Sequence, residues 1–426
     1  MRNGSPVEWG MRLGIFKDKD AFSSYAGKLD FVVLPAHIVA LAPSGVSGFL
    51  AGSVKGVPFW VDPYTAAFSL PWESLLADRR TPAKGPRRSL LKLAKAYGEP
   101  FVSCLDRQEA LDLNTVIRYA ETIGAAVVAF QLNALKTDLE EDAEFFGLNA
   151  AKMQPSILIS PYFPITPDNP RLGISANLRL YEAAAKRAAG HPLMPMVVLD
   201  PTLLEDRSVV DTIAGSFRSC SAGLYGVWVD DLDEGDCASF TLSNLLRLVE
   251  LLSADGARVF NLHGGYFSGV LSNWGLRGFS HGPGYGESKG VDPPMGGFPT
   301  AKFYVPALHR RVVSGEVQDA LAKGISGLRS VLDLCDCPVC RRAAVDGFYT
   351  VYAYPKESKK RKPYPAPETL ANCRDHFLHA RQREIDFLRT ASYAEVREQL
   401  VQALAQFPAQ MSTHLQQWLA ALPETS

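Results

Sequence analysis

The chain has 426 residues, 47% hydrophobic and 21% charged, an ordinary globular composition with enough apolar residues for a large core. Its net charge of −1 provides no global field toward nucleic acid, so any such contact must use local patches. There is no apolar run of about eighteen residues to suggest a membrane span, and MRNGSPVEWGMRLGIFKDKD lacks a signal-peptide core. Seven cysteines, an odd number without a secretion signal, point to a reducing cytoplasmic setting with unpaired or metal-bound thiols.

Taken in chain order, short apolar runs predict strands at 31–37, 58–63, 125–132, 156–162, 194–200, 225–231, 258–265 and 276–282. Between them, LNTVIRYAETIG, LRLYEAAAKRAAG and SNLLRLVELLSADG carry apolar residues at helical spacing and end on Gly. Strands separated by helices pair in parallel through crossovers, and eight over about 250 residues fit a (β/α)8 barrel. A doubly wound open sheet is the alternative, but its Gly-rich phosphate loop after the first strand is missing. The barrel is expected over 1–310, a metal-binding subdomain over 311–392 and a helical segment over 393–426. Asp62, Gln131, Tyr162, Asp200, Asp230, His263 and His281 sit where strands end, the face on which barrel enzymes build their sites. Any single Asp there also suits a helix cap.

Cys335, Cys337 and Cys340 form C-x-C-x-x-C. A disulfide would close a tiny strained loop, and no thioredoxin-like context surrounds the pair at 337 and 340. Three thiolates need a fourth ligand to complete a tetrahedral zinc site, and ANCRDHFLHARQ offers Cys373, His376 and His379 on one helix. His376 is taken as the fourth, with His379 as its rival. A closed Cys3His site leaves no open position for water, so zinc would be structural.

This cysteine motif followed by a helical His resembles the zinc site of the tRNA-guanine transglycosylases, which are (β/α)8 barrels with a zinc subdomain. PFWVDPYTAAF resembles the segment carrying an essential Asp in that family, here Asp62. NLHGGYFSGVL resembles its Gly-Gly loop, with His263 in a position usually held by Gln before Gly264 and Gly265. GFSHGPGYGES resembles the later Gly-rich strand, matching Gly284, Gly286 and Glu287. The family's Ser-Gly-Gly-Phe is replaced by Pro63, Tyr64, Thr65 and Ala66, and its Asp-Glu-Cys by Gln131, Leu132 and Asn133. Its late nucleophilic Asp has no match; Asp319 and Asp333 are nearest and lie on no convincing strand. The pattern is most similar to the divergent branch that exchanges guanine in DNA for a 7-deazaguanine.

The resemblance implies a carboxylate that attacks C1′ through an oxocarbenium-like state. Asp62 is the first carboxylate; Asp230 is taken as the second, with Asp231 and Asp200 as rivals. Glu287 and Asp200 would accept hydrogen bonds from a purine-like base, and the N–H groups of Gly264 and Gly265 would donate to it. Tyr64, Phe68, Tyr162 or Tyr266 would stack on the ring. The base must leave its stack, which requires flipping or a single-stranded substrate. Two basic stretches suit a phosphate backbone: DRRTPAKGPRRSLLKLAK and the run Lys359, Lys360, Arg361, Lys362. The expected partners are DNA in preference to tRNA, a 7-deazaguanine base and accessory DNA-modification proteins. The competing readings are the same exchange on tRNA, an inactive nucleic-acid-binding homologue and an unrelated metal-dependent hydrolase.

Overall fold

The computed structural model describes the chain except residues 1–5, 15–17, 80, 150–152, 285, 293–299, 357–363 and 425–426. Nine parallel strands form the central sheet: β1 Glu8–Arg12, β2 Phe31–Pro35, β3 Phe59–Asp62, β4 Ile157–Ile159, β5 Leu193–Met194, β6 Met196–Leu199, β7 Leu224–Val229, β8 Arg258–Asn261 and β9 Leu276–His281. Their spatial order is β5-β4-β3-β2-β1-β9-β8-β7-β6. Its two ends, β5 and β6, are separated in sequence by Pro195 alone, so the sheet curls into a nearly closed barrel. Pro195 has no N–H for a ladder bond and marks the break between them.

The apolar run at 125–132 is not a strand. It lies inside a helix, Ala120–Asn133, packed against the helix Pro170–Ala185. Gly124 meets Ala183 and Ala184 so closely that a Cβ there would stand 2.8 Å from each. Burial against neighbours on several sides makes this helix apolar around most of its surface, and a short apolar run then carries no period that separates helix from strand. The strand the sequence reading lacked is β1, whose EWGMR hides a buried arginine. LNTVIRYAETIG also divides, at Tyr119, into Leu113–Arg118 and the start of the next helix.

Phe31, Val33, Trp60, Ile159, Met196, Trp228 and Phe260 fill the barrel interior. Phe31 stacks on Trp60 at 4.0 Å, and Phe260 meets both rings edge-on at 5.8 and 5.0 Å. Gly10 of β1 leaves the volume that the Phe31 ring occupies. Strand alternation then aims Asp62, two residues beyond Trp60, and Asp230, two beyond Trp228, toward the mouth.

After β9 the chain forms an antiparallel hairpin, β10 Lys302–Val305 with β11 Arg310–Val313, then the cysteine cluster. A 24-residue helix, Pro367–Thr390, follows and lies against β9, with Phe377 on His281 at 5.1 Å. The terminal helical pattern is two helices, Tyr393–Gln406 and Ala409–Ala421, separated by Pro408. Among the described residues no helix is long and apolar enough to cross a membrane.

Candidate active site and metal centre

Asp62 ends β3 with no exposed surface. Arg12, from the end of β1, forms an ion pair with its Oδ2. Tyr162, beyond β4, donates its hydroxyl to Oδ1 at 2.6 Å, and the Tyr64 N–H donates to the same atom at 3.1 Å. Burial alone would raise the Asp62 pKa, but the Arg12 charge and the Tyr162 hydrogen bond outweigh it and hold the carboxyl below its ordinary value. Asp62 is therefore a buried carboxylate kept ionised.

Around it lie polar groups that the fold leaves unspent. Nε and Nη1 of Arg12 and Nδ1 of His37 have no hydrogen-bond partner among the described residues, and the buried His263 ring faces the Gly286 backbone. His37 packs on Tyr64 at 4.5 Å and His263 on Trp228 at 4.7 Å. Burial, then Lys289 and Arg12, lowers His37 to about 3. Burial also holds His263 well below its usual value, although the Gly286 backbone pulls weakly the other way. Both rings are thus neutral. Buried polar groups without partners are rare, and a cluster of them on the strand-end face marks a place for a ligand.

The segment from Glu287 to Asp292 crosses the mouth. Its Lys289 carbonyl accepts from Trp228 Nε1 at 2.8 Å and from the Asp231 N–H at 3.0 Å. The Val291 N–H donates to Asp230 Oδ1 at 2.6 Å, and Arg79 clasps Asp292 at 2.6 Å. The Lys289 ammonium lies over Tyr64 at 5.1 Å and Trp228 at 6.0 Å. Burial, then repulsion from Arg12, lowers Lys289 to about 7, and Asp62 opposes the fall. Two residues flanking it, Tyr64 and Asp231, hold left-handed backbone at φ 57 and φ 50. Non-glycine residues seldom adopt that region, Asp more readily than Tyr, and at Tyr64 it costs about 1–3 kcal/mol.

The other expected site residues fall in several places. Asp230 is half-buried; burial raises its pKa first, then Asp231, Asp200 and Asp292, while the Val291 N–H opposes them. Asp200 caps the turn at 201–205, accepting from Thr202 N at 2.9 Å and from its hydroxyl at 2.5 Å, so the bland reading of a helix cap applies to it. Both carboxylate oxygens of Glu287 are taken, one by Arg381 and the other by Arg311 at 3.1 Å. The Gly264 N–H donates to the Ser280 carbonyl at 3.1 Å, and the Gly265 N–H is bound to Glu234. In this arrangement both amides are already engaged, one by β9 and the other by Glu234. Gly284 lies in the turn after β9, with open space where a Cβ would be. Of the proposed stacking rings, Tyr64 and Tyr162 reach the mouth, while Phe68 packs on Phe101 at 4.8 Å and Tyr266 on His309 at 3.5 Å. Gln131 holds both backbone groups of Ile159, at 2.8 and 2.9 Å, and His281 is a buried acceptor for Trp9 Nε1 at 2.9 Å. Lys359, Lys360, Arg361 and Lys362 lie outside the described residues.

Sequence reasoning missed Arg12, Lys289 and Glu234. Glu234 lies beyond β7 and accepts from Ser268 N at 3.2 Å and from its hydroxyl. Burial pushes its carboxyl up to about 7, against those bonds. It lines a 190 Å³ cavity with Gly265, Glu287, His309 and Arg311, between the barrel and the hairpin.

Cys335, Cys337, Cys340 and His376 place their ligand atoms within 4.8 Å of one another, all buried. Nδ1 of His376 stands 3.5 Å from the sulfurs of both Cys337 and Cys340. Its Nε2 donates to the Tyr304 carbonyl at 2.7 Å, which fixes the tautomer with the Nδ1 lone pair facing the sulfurs. Metal–sulfur bonds of about 2.3 Å fit donors this close. The group could hold a metal ion such as zinc. Cys373 instead faces the Tyr352 carbonyl at 3.8 Å, and His379 lies outside the cluster.

Asp319 lies within the helix Ser314–Ala322, and Asp333 caps backbone at Arg329 and Ser330, at 2.7 and 2.9 Å. Neither reaches the mouth as a late nucleophile. The chain matches no protein-family model and no curated protein closely enough to assign it to a family.

Proposed function

We propose that the protein is a transglycosylase that exchanges guanine in DNA for a 7-deazaguanine base of the preQ0 kind, on a (β/α)8 barrel in which β5 and β6 count as one strand interrupted at Pro195. The observation that carries this reading is Asp62, a buried, ionised carboxylate at the strand-end face, ringed by polar groups without partners. The order of motifs quoted above supports it. In this reading Asp62 attacks C1′, the C1′–N9 bond breaks, and the electron pair leaves with the base. Arg12 and Tyr162 orient the attacking oxygens. Asp230, with its raised pKa, is the second carboxylate and shares a hydrogen bond with the departing base. A nucleoside must be flipped from its stack to reach this mouth. Zinc, held by Cys335, Cys337, Cys340 and His376, would fold the subdomain; the base exchange belongs to the barrel mouth. The setting is cytoplasmic, with DNA as the main partner and DNA-modification proteins as accessories.

The test is to incubate the protein with DNA or tRNA carrying labelled guanine and with a 7-deazaguanine base, and to follow release of label. Release from DNA is expected, and release from tRNA alone would sink the DNA assignment. Asp62→Asn should abolish exchange and keep its zinc, as read by metal analysis. A second reading, a non-catalytic nucleic-acid-binding protein, is favoured by one observation: both Asp62 oxygens are already engaged, by Arg12 and Tyr162. Binding without release from either substrate would establish it.

A further inference from the structure

We propose that Lys289 is a further catalytic residue of this site, carrying the N9 proton between the departing and the incoming base. The proposal rests on the base-exchange reading. It begins with placement. The Lys289 backbone is fixed by Trp228 Nε1 and the Asp231 N–H, and the next residues are tied to Asp230. Gly290 runs beside Asp230, where a Cβ would stand in ordinary van der Waals contact with its Oδ1, at 3.5 Å. The side chain runs from this anchor over Tyr64 and Trp228, the rings beside Asp62. One residue thus joins the Asp230 side of the mouth to the Asp62 side.

Base exchange needs a group at that place. When Asp62 attacks C1′, N9 of the departing guanine receives the bonding pair and must gain a proton. The Lys289 ammonium donates it, leaving neutral guanine and a neutral amine. The incoming base carries N9–H. As its N9 bonds to C1′ and the Asp62 carboxylate leaves, that proton passes to the amine and restores the ammonium. Protons and electron pairs balance over the cycle, and no other reactant is required. N9 of both bases occupies the same point next to C1′, so a single group suffices for both transfers.

The surroundings suit that task. Facing the Lys289 side chain are Arg12 from β1, His37 from the helix Ala36–Leu41, Asp62 and Tyr64 from the end of β3, and His263 beyond β8, while Asp230 and Asp231 beyond β7 hold the backbone of its segment. Burial and Arg12 bring the amine to about 7, where both protonation states are populated at neutral pH. Both histidines are held neutral, Asp62 must stay ionised to attack, and Asp230 accepts from the Val291 N–H while Lys289 reaches across to the Asp62 side of the mouth.

The test uses the full-length protein, DNA and labelled free guanine, so that guanine-for-guanine exchange is measured. Lys289→Met and Lys289→Arg should each slow exchange by about 100-fold or more, because arginine keeps the charge and cannot release the proton. DNA affinity should stay within a few-fold, and the limb of the kcat/KM pH profile near 7 should vanish in Lys289→Arg. Variants within about threefold of wild type, or a persisting limb, would overturn the assignment while leaving base exchange intact. A wild-type protein that exchanges nothing on DNA or tRNA overturns both readings. Amine labelling of the wild-type protein, followed by peptide mass spectrometry, guards against misfolded variants. Half-maximal Lys289 reactivity near pH 7 supports the proposal, and a midpoint near 10 refutes it.

Discussion

Glu234 shows at the residue scale what burial does to a carboxyl that keeps its hydrogen bonds. Unfolded, it ionises near 4.5; folded, near 7. Between those values only the folded state holds the proton, so its contribution to stability falls as pH rises through that window, by roughly 3 kcal/mol at most. Urea midpoints at pH 5 and pH 8 should show this fall in wild type and lose it in Glu234→Gln. An equal fall in both proteins would show that other groups are responsible. Asp62 was legible because a Trp-Val-Asp strand end carries a pattern. Arg12 was not, since its partner lies fifty positions away and a single arginine in a strand has no motif. Glu234 sits in DDLDEGD, which reads as a solvated acidic turn until tertiary packing buries it.

At the scale of elements, the helix Pro367–Thr390 joins the metal cluster to the mouth. His376 is a cluster member, and Arg381, little more than one turn later, clamps Glu287 at the start of the crossing segment. With zinc bound by the cluster, as proposed, a chelator should therefore loosen residues 287–291 as well as the cysteine loop. Hydrogen exchange should rise at both while β2 and β3 stay protected; unchanged protection at 287–291 would break the link. The cysteine cluster and its His were readable from spacing, because tetrahedral chemistry demands four donors. The clamp was not, since it depends on which face of the helix meets β9. The helix at 120–133 was misread as a strand for a related reason. Its apolar residues answer to neighbours on several sides, and amphipathic period is informative only when one side meets water.

For the whole molecule, a net charge near zero means that any affinity for nucleic acid must come from local clusters. Reversing the charge of Lys359, Lys360 and Arg361 should weaken DNA binding about tenfold or more at low salt and flatten its salt dependence, measured by fluorescence anisotropy. Unchanged binding would remove that basic run from the interface. The barrel class was legible from alternating strands and helices, although one predicted strand was wrong and β1 was missing. Eight strands were expected and the sheet has nine, because those two errors offset each other and the run at 194–200 divides at Pro195.

The long helix has one more consequence. Beyond Arg381 it continues to Arg389, which reaches the Val7 carbonyl at 3.1 Å and Asp30 at 2.6 Å, at the opposite end of the barrel from the mouth. The wall over β9 is thus supplied from the far side of the cysteine loop. A fragment ended at residue 310 would keep every strand of the barrel yet bare the flank of β9, with Phe279 and His281 facing water. For anyone trimming this chain to a minimal unit, the last strand and the helix that covers it cannot be parted.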